Sequence, residues 1–174
     1  MKKFSEGFNK FTGVINTIYL LIAILCVFVL AISCCWQVIS RYALEHSAAW
    51  TEEIGRYTFI WANLIGAACC VRIRNHANVS IMYDLLPKKG KKVHLCCMDI
   101  LFALFGLIML YEGYFSVIGK MGRYSAVAKV PMALVYSSVS VSGFGIILQS
   151  LNNFFIDLTT PSSKLGKKPE EVIQ

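Results

Sequence analysis

Four residues have the types and spacing to do chemistry inside a membrane: Glu52, Glu53, Arg56 and Asp99. A carboxylate held in hydrocarbon can take up and release a proton, and small four-span exporters couple transport to such a group. On a helix, Glu52 and Arg56 are i,i+4 neighbours, and Glu53 and Arg56 are i,i+3, so the cluster can pair with itself. A carboxylate beside an arginine stays ionised, which suits a structural pair better than a proton shuttle. Asp99 lies about one turn inside an apolar run, next to a basic loop. No apolar run is broken midway, as ion sites in transporters usually require. A self-contained proton-coupled transporter using Glu52/Glu53 or Asp99 is therefore the alternative reading, not the leading one.

Other chemistries find less support. His46, His76 and His94 all fall in loops or at helix ends, so no histidine pair is placed to ligate a haem within a bundle. No Ser–His–Asp arrangement or metal-ligand spacing is visible. The seven cysteines are Cys26 and the adjacent pairs Cys34–Cys35, Cys69–Cys70 and Cys96–Cys97. Without a CxxC they read as small packing residues rather than redox or zinc sites. Neither an enzyme nor a cofactor or metal in this chain is expected.

The elements that must position the charged cluster follow from composition. Of 174 residues, 56% are apolar and only 16% charged, against about 25% charged in soluble domains. The apolar residues form long runs, which makes the chain an all-α membrane protein. Four transmembrane helices are predicted at about 14–39, 50–71, 93–118 and 132–158, forming one domain over residues 1–158. The first run is too long for the core of a cleaved signal peptide and is kept as a span. Residues 1–12 (Phe4, Phe8 and Phe11 among lysines) and 76–86 read as short interfacial amphipathic helices. Residues 159–174 read as a polar cytoplasmic tail. Pro131 opens the last span, as proline does at a first helical turn.

The second span begins at Trp50, an interface anchor. It carries Glu52, Glu53 and Arg56, then Asn63, then Gly66 in a small-residue ridge between Ala62 and Cys70. A face that is polar and then small wants protein beside it rather than lipid. The charged cluster is expected to tie helix two to helix one or three, with contact to another chain as the other option.

The net charge of +7 reads as membrane-flanking Lys and Arg, with no nucleic-acid partner implied. Twelve of the 17 lysines and arginines lie in the amino end, the loop between spans two and three, and the tail; four lie on the other side. This places both termini in the cytoplasm.

The run Trp50-Thr-Glu-Glu-Ile-Gly-Arg56-Tyr57, then Trp61, Gly66-Ala67, Val71-Arg72 and His76, resembles the signature region of the small membrane subunit of TRAP (tripartite ATP-independent periplasmic) transporters. Ser125-Ala-Val-Ala-Lys-Val-Pro131, followed by Val135-Tyr136, resembles the start of that family's last helix. The resemblance spans about residues 36–158. It implies a scaffold in the bacterial inner membrane that anchors a large multi-span transport subunit, with a periplasmic substrate-binding protein delivering solute. It also implies uptake driven by an ion gradient, commonly sodium bound in the partner, of organic acids such as sialic acid or C4-dicarboxylates. Trp50, Glu52, Glu53, Arg56, Tyr57, Arg72 and His76 carry the family pattern. Asn63, Cys69–Cys70 and Lys129 depart from it.

Overall fold

Hydrocarbon offers no partner to a backbone amide, so each apolar run must close its own hydrogen bonds as a helix. The structure, a computed structural model, describes residues 2–43, 49–73 and 88–159. It contains four helices there: α1 (Lys2–Tyr42), α2 (Ala49–Ile73), α3 (Lys88–Gly119) and α4 (Met132–Thr159). All four are long and apolar enough to cross a membrane, over Gly7–Tyr42, Ala49–Ile73, Val93–Gly119 and Met132–Asp157.

The amino end differs from expectation. Residues 2–12 are not a separate interfacial helix but the first turns of α1, which runs unbroken for 41 residues, or about 61 Å. The physical reason is that its polar positions face inward: Asn9 and Thr12 are buried. Of the phenylalanines proposed to lie on the membrane, Phe8 packs edge-on against Phe155 of α4 at 6.0 Å, while Phe11 is exposed. The other proposed interfacial segment, 76–86, lies outside the described residues.

Helices α1, α2 and α4 pack together, and α3 packs chiefly along α4. The shared core is formed by Tyr19, Ile65, Ala68, Cys69, Val71 and Ile146. Tyr19 lies over Gly145, where any Cβ would run into its ring, and its hydroxyl donates to the Val141 carbonyl at 2.7 Å. The α3–α4 contact is close enough to bring backbones together. A Cβ on Gly106 would stand 2.9 Å from the Gly143 carbonyl oxygen, and one on Gly113 would stand 2.7 Å from the Ser140 nitrogen. Small residues are what permit such approach where no hydrophobic effect drives helices together.

Contacts of Arg72 with Asn9 and Gln149 put the start of α1, the end of α2 and the end of α4 at one end of the bundle, and Glu53 meets the α3–α4 loop at the other. Large apolar residues such as Leu21, Leu25, Phe28, Leu101 and Leu104 point outward, as a lipid-facing surface requires.

Candidate functional site

Polar side chains gather at both ends of the bundle, and α2 contributes to each. At the end where α1 begins and α4 ends, Arg72 is only 4% exposed. Its guanidinium forks between two helices. Nη1 donates to Thr12 Oγ1 at 3.0 Å and to Gln149 Oε1 at 3.2 Å. Nη2 donates to Asn9 Oδ1 at 3.0 Å and to the Asn9 carbonyl at 3.4 Å. Thr12 can accept because its own hydroxyl proton goes back to the Asn9 carbonyl. Gly13 makes room: a Cβ there would stand 3.2 Å from Arg72 Nη2.

Amides of α4 complete the clasp. Gln149 Nε2 donates to the Thr12 carbonyl at 3.3 Å, Asn152 Nδ2 to Asn9 Oδ1 at 3.0 Å, and Asn153 Nδ2 to the Val71 carbonyl at 2.8 Å. An arginine presents its donors in a rigid planar fork, which suits it to hold several acceptors at fixed positions. Three helices are thereby locked at one level.

At the opposite end the charged cluster divides. Glu53 turns inward and accepts from the Ser125 hydroxyl and from the backbone N–H of Ala128 at 2.9 Å and Val127 at 3.4 Å. It thus holds the α3–α4 loop, not helix one or three as expected. Ser125 N donating to the Val130 carbonyl and Met132 N to the Arg123 carbonyl, each at 2.9 Å, draw the loop into a narrow arch. Within it Lys129 takes a positive φ of 54°, a backbone conformation uncommon outside glycine. The arch also pairs Tyr124 with Pro131, immediately before α4.

Glu52 and Arg56 face away from the bundle and pair with each other at 3.1 Å, 67% and 62% exposed. Below them, Phe59, Asn63 and Ala67 are exposed on the same side of α2. Asn63 donates only to the Phe59 carbonyl of its own helix, at 2.8 Å. Gly66, expected to admit a neighbouring helix, has nothing within 4 Å of where its Cβ would be. Its neighbour is therefore not found among the described residues of this chain.

The remaining residues singled out in the sequence are dispersed. Trp50 is exposed at the start of α2. Tyr57 turns its hydroxyl toward Met132 Sδ at 3.8 Å. Asp99 is buried in α3, at the opposite end of the bundle from Glu52 and Glu53. His76 lies outside the described residues. No group of three or more metal-ligating side chains occurs among the described residues. Reasoning from sequence missed Asn9, Thr12, Gln149, Asn152 and Asn153. Their signal was present, as polar residues three or four apart within apolar runs, but nothing in the sequence said that they face one another.

The arrangement holds helices and a loop of this chain to one another. Residues 30–160 match the family described as "Tripartite ATP-independent periplasmic transporters, DctQ component". The chain is 25% identical over 173 residues to the ectoine TRAP transporter small permease protein TeaB of Halomonas elongata, covering 94% of this chain and 86% of that one. It is 32% identical over 56 residues to the sialic acid TRAP transporter small permease protein SiaQ of Vibrio cholerae, 32% of each chain. It is also 26% identical over 88 residues, 49% of this chain, to 14% of a longer isethionate TRAP transporter permease protein, DctMQ, of Oleidesulfovibrio alaskensis. Similarity to part of a longer permease points to a large membrane partner. The family is a transporter component and not an enzyme, and this chain belongs to it as a small membrane subunit of a TRAP transporter.

Proposed function

We propose that this chain is the static scaffold of an ion-gradient-driven uptake system and that it holds the large transport subunit against the outward face of α2. The observation that carries the reading is the strip Glu52–Arg56–Asn63–Gly66. It is polar and then small, runs along a membrane-spanning helix, and meets no other helix among the described residues. A charged pair and an amide facing hydrocarbon are costly. A partner helix would shield them, and Gly66 and Ala67 would let its backbone come close.

The Lys/Arg distribution supports a cytoplasmic position for the clasped end and both termini, in the bacterial inner membrane. The Glu53-held loop then faces the periplasm. It presents Met121, Tyr124 and Val127, all exposed, on the side from which a soluble binding protein would deliver solute. Substrate and coupling ion, commonly sodium, would bind in the large subunit. The names of the relatives include sialic acid, ectoine and isethionate, all small charged organic solutes, which supports an organic acid as cargo.

The test is affinity purification in mild detergent from cells that also make the neighbouring permease subunits. Wild-type chain should bring down a large multi-span protein. Arg56→Glu should lose it while keeping its own helical signal and melting temperature. Uptake by this chain alone in liposomes would overturn the reading in favour of a self-contained transporter.

A further inference from the structure

Because α3 packs mainly along α4, much of its surface is left to the membrane. From Ile100 to Ile118 its exposed residues are apolar or aromatic with one exception, Glu112. Among the described residues Glu112 has neither a hydrogen bond nor an ion pair. It lies on a hollow of about 740 Å³ bordered by Leu107, Ile108, Tyr111, Tyr114 and, from α4, Ser140. This volume belongs with single-molecule sites of roughly 300–1,000 Å³. A partner helix, about 10–12 Å across with its side chains, needs a continuous trough instead.

The chemistry of the lining narrows the occupant. Its walls are largely apolar, and Glu112 supplies the one carboxyl group of the lining. Glu112 precedes the end of α3 at Gly119 by seven residues, or about 10 Å. The Val93–Gly119 span is about 40 Å long, about 10 Å more than a hydrocarbon core of about 30 Å. With the span centred on that core, the carboxylate sits within about 5 Å of the headgroup boundary, where an acidic side chain can meet a lipid headgroup. We propose that this hollow binds a phospholipid whose headgroup carries a primary ammonium, with an acyl chain along Leu107, Ile108 and Tyr111 and the ammonium paired with Glu112.

The experiment uses the full chain in mild detergent, incubated with phosphatidylethanolamine or phosphatidylglycerol of identical acyl chains, with retained lipid read by native mass spectrometry. Wild-type chain should retain at least about fivefold more of the amine lipid, the scale of one partly shielded ion pair. Glu112→Gln should remove the preference, Glu112→Lys should reverse it, and Ile108→Trp should lower retention of both lipids. Helical signal and melting temperature verify that each variant is folded, and Glu112→Gln alone decides the matter if a bulkier change unfolds the chain. Equal retention of the two lipids by wild type would overturn the proposal, as would a preference that survives Glu112→Gln. So would failure of Glu112→Gln to co-purify the large subunit from cells that make both, with the lipid ratio of the chain alone unchanged, because the cation would then belong to a protein partner.

Discussion

Helix α2 carries two arginines sixteen positions apart, and the bundle treats them in opposite ways. Arg72 is almost wholly buried and shared among three helices. Arg56 is mostly exposed and bonded only to Glu52, one turn away on its own helix. A guanidinium removed from solvent must have its donors satisfied, so Arg72 fixes where α1 and α4 can lie. Among the described residues Arg56 is bonded to no other helix. The first is an internal clasp; the second is left over for something outside. One end of the bundle is therefore clasped by its own residues, and the strip descending from the other end has no such clasp among the described residues.

The largest expected effect breaks the clasp. Arg72→Met keeps an apolar stem but leaves Gln149 Oε1 without the donor that faces it and Asn9 Oδ1 with Asn152 alone. Hydrogen bonds to a charged group are worth about 1.5–3 kcal/mol each, so losing those to α1 and α4 together should lower stability in detergent by about 3 kcal/mol or more. Arg72→Lys should not rescue it, because a single ammonium cannot span the acceptors of α1 and α4. An unchanged melting temperature in Arg72→Met would erase the distinction between the two arginines.

A second measurement compares glycines. Gly113→Ala drives a methyl into the Ser140 backbone, and overpacking of this kind costs about 1–3 kcal/mol. Gly66→Ala meets open space and should leave the isolated chain no less stable, since alanine is the better helix former by up to about 1 kcal/mol. Gly66→Leu sharpens the test, because it should spare the chain and still weaken co-purification of the large subunit. A folding defect in Gly66→Ala would mean that this face is occupied from within.

At the loop end, Glu53→Gln should keep the bundle folded but free the arch it holds. Proteolysis after Arg123 or Lys129 should speed up several-fold, while the helical signal holds. The smallest effect on stability belongs to Arg56→Ala, within about 0.5 kcal/mol as for other exposed positions. Its consequence should appear in assembly with the partner. If Arg56→Ala melts the chain as Arg72→Met is expected to, the outward strip is structural after all.

Much of the fold is legible in the sequence because the solvent imposes it. Long apolar runs must become helices, so four helices follow from run length and punctuation, and the pairing of Glu52 with Arg56 follows from spacing on one helix. Pro131 and the loop before it likewise mark where α4 begins. The role of Glu53 was not legible, because its partners are one serine hydroxyl and two backbone amides more than seventy positions away, and amides carry no signature in the sequence. The separate amino-terminal helix failed for a related reason. Phe4, Phe8 and Phe11 give the right period for an interfacial face, but Asn9 and Thr12 are drawn inward by an arginine sixty positions further on.

By itself, the sequence determined the number of spans and the local pair Glu52–Arg56, because each depends on residues within one or two turns of one another or on the length of an apolar run. Only the tertiary structure decided which polar side chains close on each other and which stay unmatched. That choice depends on how helices rotate about their own axes as they pack, and rotation is settled by distant contacts such as Gly113 on Ser140 and Tyr19 on Gly145. Arg72 and Arg56 are alike in type and in host helix; their directions separate them.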